Sequence, residues 1–160
     1  MKDIIIAESI ESLRREGLRF SVDTLAERLN ISKKTIYRYF PNKEVLAVAL
    51  YKKYYSDIKT EAERLAAENT DETHYKLLAL YFDAKSMTSS DIFNKYKLNE
   101  ALYSFTAEQN DRLWETIISS SDKAQDKISL RIIADGAFEK LCNEKISPEG
   151  VIDRLVKMLW

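Results

Sequence analysis

Apolar residues recur at three- and four-residue intervals along this chain, which predicts helices separated by short polar breaks. A first helix is predicted over Lys2–Glu16, with Ile6, Ile10 and Leu13 spaced for packing and Gly17 placed to end it. Leu25, Ala26 and Leu29 then share one face, and Ile31, Ile36 and Phe40 continue the apolar set across a break. A long helix follows over residues 43–67, striped by Leu46, Leu50, Tyr54, Ile58, Ala62 and Leu65. Asn69, Thr70 and Asp71 break the pattern before a helix over residues 72–87 that presents Leu77, Leu78, Tyr81 and Phe82. After Thr88, Ser89 and Ser90, one helix carries Ile92, Phe93, Tyr96, Ala101, Leu102 and Phe105. Another, beginning near Asn110, carries Leu113, Trp114, Ile117 and Ile118. The run from Ser119 to Asp122 separates these from a C-terminal pair, over residues 124–143 and from Ser147 onward.

The segment from Phe20 to Leu50 has the spacing of a helix-turn-helix. Ser21 is placed to cap the first of its helices, and Asp23 stands in the first turn, where the helix dipole favours an anion. Asn30 falls in the turn, where left-handed backbone is needed and Gly or Asn serves. Ser32 caps the second helix, Pro41 ends it at Phe40, and small Ala26 sits where the two helices must cross closely.

Several residues of this segment make poor local sense. Lys33 and Lys34 occupy the first turn of the second helix, where the positive end of the macrodipole opposes cations, and Lys43 repeats the fault just after the Asn42 cap of the next helix. From Arg28 to Asn42 no acidic residue appears. Cations gathered in this way suit a surface that meets phosphates, and a local rule broken repeatedly in one place suggests a site. Tyr37 and Tyr39, on either side of Arg38, can offer hydroxyls to phosphate oxygens and ring faces to sugars or thymine methyls. For Tyr37, burial in the core and contact with DNA are both open on this pattern.

The run TLAERLNISKKTIYRYFPNKEVL resembles the DNA-binding signature of the tetracycline-repressor (TetR) family of bacterial transcription regulators. Its most diagnostic piece is TIYRYFPNKEVL, and the likeness is specific over about residues 4–50 and only architectural beyond. The resemblance implies an all-α fold: an N-terminal three-helix DNA-binding domain over residues 1–45, then a helical regulatory and dimerisation domain over residues 46–160. It implies that Lys33, Lys34, Thr35, Tyr37 and Arg38 face the major groove or its rim, that Tyr39 and Lys43 clamp the backbone, and that Ser21 and Ser32 donate to phosphates from helix starts. Asn30 departs from the Gly commonest at this turn.

Charge and composition add a division to this picture. Residues 1–60 hold 12 Lys and Arg against 8 Asp and Glu, a net of +4, and residues 61–160 hold 13 against 18, a net of −5, a split hidden by the overall charge of −1. A basic head and an acidic body would orient the protein on DNA. Three Gly and two Pro in 160 residues leave few turns, so long helices must dominate. One Cys excludes an intramolecular disulfide and fits a reducing cytoplasm. No apolar run approaches the roughly 18 residues of a membrane span, and the N-terminus lacks a signal-peptide pattern. No phosphate loop, serine elbow or zinc-ligand cluster is present, so the reading is of a non-enzyme without metal or cofactor.

The C-terminal helices carry a second functional signal. Ile128, Ile132, Leu141 and Cys142 accompany the small residues Ala134, Gly136 and Ala137. A mid-helix Gly costs about 1 kcal/mol against Ala, and close approach of another backbone is one reason to place it there. Ser147 is placed as a cap, Pro148 at the first helical position, and Val151, Ile152, Leu155, Val156 and Leu159 form a broad apolar face. The resemblance implies that these two helices pair across a twofold axis. The expected homodimer has Ile132, Ala134, Gly136, Ala137, Ile152, Leu155 and Leu159 in its interface and binds a roughly palindromic operator, its half-sites about 34 Å apart. The alternative is that Gly136 and the last helix pack within one subunit.

In the middle helices Tyr81, Phe82, Phe93, Tyr96, Tyr103, Phe105 and Trp114 form an aromatic-rich set where family members often keep an effector pocket. Each is equally open to a place in the core. Asp83 and Arg112 are candidates for buried polar groups of such a pocket but are expected rather at the surface, His74 is expected exposed, and Cys142 buried among apolar residues. The expected function is that of a cytoplasmic repressor, homodimeric on operator DNA and released by a small-molecule or protein effector. Two alternatives remain, an activator or adaptor controlled by a protein partner, and a helical protein-interaction module.

Overall fold

The computed structural model describes residues 1–16, 21–88, 100–119 and 126–160. Among the described residues there are eight helices and no strand: α1 Lys2–Glu16, α2 Val22–Arg28, α3 Lys33–Tyr39, α4 Lys43–Glu68, α5 Thr73–Met87, α6 Glu100–Ile118, α7 Lys127–Glu144 and α8 Glu149–Leu159. Two compact units emerge from the packing, Met1–Asp57 with Met87–Thr106, and Ile58–Ser86 with Ala107–Trp160.

In the first unit α1 packs on α2, and α2 on α3. Helices as short as α2 and α3, at seven residues each, are marginal in isolation and persist through caps and burial of an apolar face. That face is formed by Val22, Leu25, Ala26, Ile36 and Phe40, all buried, with Ile5, Ile6, Ile10 and Leu13 of α1 and Leu46 and Leu50 of α4. Arg28 fastens α2 to α1, donating to Ser12 Oγ at 2.8 Å and pairing with Glu16, with Glu8 at 3.9 Å. Further along α4, Tyr51 donates to the Met87 carbonyl at 2.5 Å, and Tyr55 meets Phe105 edge to face at 6.1 Å.

Turn chemistry explains where α4 ends. Asn69 takes a left-handed backbone, φ 43°, and its amide donates to the Leu65 carbonyl at 3.3 Å, the single-bond form of a helix C-cap. Thr73 then ties the break together, accepting from the Thr70 amide at 2.8 Å and donating to the Leu65 carbonyl at 3.3 Å.

The second unit is built on Tyr81 and Trp114, whose rings lie 5.2 Å apart with neighbouring Leu77, Leu78 and Ile117 also buried. A polar network crosses it. Tyr81 and Lys85 both donate to Asp135 Oδ1 at 2.8 Å, while Arg131 lies 3.6 Å from Asp135 and 2.6 Å from Asp111. Burial first, and then the bond to Asp135, holds the Tyr81 phenol well above its ordinary pKa, so it remains a donor.

Four local expectations differ from the structure. Asn110 lies inside α6 rather than at a helix start, because Ala107, Glu108 and Gln109 continue the helix without a breaker. At the start of α8, Pro148 holds the capping position with no side-chain cap, and Ser147 instead bonds Glu149. His74 is half-buried rather than exposed, stacked on Trp160 with ring centroids 4.7 Å apart, and burial lowers its pKa. Cys142 is exposed, although partial burial of the thiol lifts its pKa and keeps it protonated.

Candidate nucleic-acid interface

The turn between α2 and α3 closes through two backbone bonds. The Asn30 amide donates to the Glu27 carbonyl and the Ile31 amide to the Ala26 carbonyl, each at 3.0 Å, with Asn30 at φ 51°. This is a Schellman closure with Asn in the position Gly usually takes. Each helix then starts on a serine: the Thr24 amide donates to Ser21 Oγ and the Thr35 amide to Ser32 Oγ, both at 3.1 Å, and each hydroxyl also lies 2.9 Å from the same threonine's Oγ1. Asn42 Oδ1 accepts from the Val45 amide at 2.8 Å and starts α4 in the same way. Three consecutive helix starts are thus set by side chains, and α3 is held in a fixed register.

Residues four apart share a helix face. Ile36 and Phe40 turn inward, both about 1% exposed, so Lys34 and Arg38 stand one turn apart on the opposite side. Tyr37 and Tyr39 flank them, 39% and 38% exposed. Tyr37, for which the sequence left core and surface open, therefore lies at the surface. The Arg38 guanidinium sits 5.7 Å from the Tyr39 ring centroid, and Lys43 is exposed at the start of α4. Lys34, Arg38 and Lys43 form no ion pair with any described residue. Lys33 differs, since it pairs with Asp23 of α2. That partner offsets part of the unfavourable dipole at Lys33, and the sequence concealed it because Asp23 lies outside the acid-free run.

The aromatic set expected to line an effector pocket is dispersed. Tyr81 and Trp114 are fully buried against each other, Tyr103 is 55% exposed, and Phe93 and Tyr96 lie outside the described residues. Phe82 does line a groove of about 520 Å³ between α5, α7 and α8, with Tyr75, Phe138, Leu141 and Ile152 as further apolar walls. Of the polar candidates, half-buried Asp83 borders this groove, while Arg112 is exposed and pairs with Glu108. The groove escapes sequence reading because α5, which forms one wall, is far along the chain from α7 and α8, which form the others.

The residues expected between subunits fall into two groups. Ala134, Ile152 and Leu155 are buried within this chain. Gly136 is exposed, and a Cβ built on it would meet no described residue outside its own stretch of helix within 4 Å. Ile132 is 65% exposed, beside Ile128 at 76% and exposed Ile133, so α7 presents an apolar stripe outward. Ala137 is half-buried, and the Leu159 side chain lies outside the described residues. The sequence pattern marks the apolar positions of α7, but not which of them this chain covers itself.

No group of three or more His, Cys, Asp or Glu among the described residues is disposed to hold a metal, and no described helix is long and apolar enough to cross a membrane. Comparison with known proteins places the capped α2–α3 unit. Residues 5–50 match the family described as bacterial regulatory proteins, tetR family. The chain is also similar, at 32% identity over 65 residues, to an uncharacterized HTH-type transcriptional regulator, YvaF, of Bacillus subtilis (strain 168). That match covers 41% of this chain and 34%, about a third, of the relative's length. No solved structure matches the chain. Residues 5–50, which contain the helix-turn-helix closed at Asn30 and the exposed cationic face of α3, are thus similar to the N-terminal helix-turn-helix region of the TetR family.

Proposed function

We propose that the protein is a cytoplasmic transcription regulator that binds a palindromic operator as a homodimer and represses by occupancy until an effector releases it. The observation that carries this reading is the outward face of α3, where Lys34 and Arg38 stand between two exposed tyrosines with Lys43 at the next helix start. Such a face meets DNA by two routes. Cations neutralise phosphates, and the same short helix offers Thr35, Tyr37 and Arg38 to base edges in the major groove. Ser21, Ser32, Tyr39 and Lys43 contact the backbone around it. Residues 1–45 form the DNA-binding domain and residues 46–160 the regulatory and dimerisation domain. The effector binds better to the arrangement that cannot hold DNA, and so shifts the population away from it. Selecting bound duplexes from a random pool tests this: two inverted half-sites about one DNA turn apart support it, and recovery of no common sequence rejects it.

Dimerisation is proposed through the outward stripe of α7, with Ile128, Ile132 and Ile133 set around Gly136. Because no described residue outside its own stretch of helix lies within 4 Å of a Cβ at Gly136, Gly136→Leu is tolerated by a single subunit and even relieves the helical cost of glycine, by up to about 1 kcal/mol. The expected result is a folded monomer by sedimentation, with helical circular dichroism intact. An unchanged dimer would remove this part of α7 from the interface.

A further inference from the structure

We infer that Asp23 restrains DNA binding by holding Lys33 in competition with DNA phosphate, an inference that rests on the reading of α3 as the recognition helix. The acid-free run from Arg28 to Asn42 predicts a uniformly cationic rim around α3. The fold interrupts it, because α2 brings Asp23 to Lys33 and the two form an ion pair across the turn. Their side chains are 60% and 52% exposed. A pair so open to solvent contributes little to stability, and its main effect is on the charge that α3 presents. Lys34, Arg38 and Lys43 meet an approaching phosphate without a described ion-pair partner, whereas Lys33 must first leave one.

Sequence-independent affinity for duplex DNA comes almost entirely from release of counterions as cations neutralise phosphates. A lysine already neutralised by a carboxylate releases fewer of them. Asp23 is therefore a positioning residue acting through Lys33: it lowers the protein's hold on random DNA and flattens the salt dependence of that hold. Neither effect follows from the place of Asp23 in the first turn of α2, where its structural role is to complement the helix dipole.

The test is a double-mutant cycle on the full chain, read by fluorescence anisotropy with a labelled random-sequence duplex across a range of salt. Asp23→Asn is expected to tighten binding roughly fivefold near 0.1 M salt and to steepen the salt slope by up to about 0.9, the contribution of one phosphate contact. Lys33→Ala should cost little with Asp23 present and roughly fivefold in the Asp23→Asn background. Asp23→Ser serves as a second neutral variant if Asp23→Asn weakens α2. A gain from Asp23→Asn that is the same with or without Lys33 overturns the inference, because it marks direct repulsion of phosphate by the carboxylate. Unchanged binding by both neutral variants of a DNA-binding wild type overturns it alone. Absence of salt-sensitive binding by the wild type overturns both the inference and the reading of α3.

Discussion

Replacing Arg38 and Lys43 together with alanine is expected to weaken operator binding by about 10- to 100-fold near 0.1 M salt and to flatten the salt slope by up to about 1.8. Both side chains are exposed and neither has an ion-pair partner among the described residues, so the double variant removes charge without breaking the fold. The two positions differ in kind. Arg38 stands on the face of α3 proposed to meet the major groove, and on that reading its loss should relax sequence preference. Lys43 starts α4 beside the Asn42 cap, and its loss should weaken binding evenly across sequences. Titration of selected and random duplexes at several salt concentrations separates these effects. An unchanged affinity and slope would remove both residues from the interface.

Phe40→Ala should unfold the head. Phe40 is about 1% exposed at the C-cap of α3, where its amide still donates to the Ile36 carbonyl at 2.9 Å. Truncation of a buried phenylalanine costs roughly 3–5 kcal/mol, a large share of the total stability of an ordinary domain. Faster amide hydrogen exchange across α1–α3 is the expected signature, with DNA binding lost as a consequence. Tyr37→Ala is the control. Its side chain is exposed, so it should leave exchange unchanged while weakening DNA binding. Equal protection of the amides in the Phe40 variant and the wild type would show that Phe40 does not anchor α3.

The head was legible because its determinants are local. Ser21, Asn30, Ser32 and Asn42 act on backbone within a few residues of themselves, and these three caps and one turn are made as expected, while Gly17, expected to end α1, lies outside the described residues. Where local rules compete, the pattern was less decisive. Ser147 met an acidic neighbour, Glu149, and bonds it rather than the backbone. Cys142 lies next to buried Leu141, but the rotation of α7 carries it outward. Tyr81 and Trp114 share the aromatic character of a pocket lining, yet they pack on each other because helical spacing alone cannot distinguish a wall from a core.

From the sequence alone came an all-α protein, the helix-turn-helix and its TetR likeness, and the cationic, acid-free run of α3, since periodicity and capping are properties of short windows. Tertiary structure decided the pairings between distant windows. It brought Asp23 to Lys33, locked Arg28 onto α1, divided the apolar residues of α7 and α8 into those covered and those left bare, and opened the groove beside Phe82. The physical reason is the same in each case: charge neutralisation and burial depend on which side chains meet across helices, and that is set only when the helices have packed.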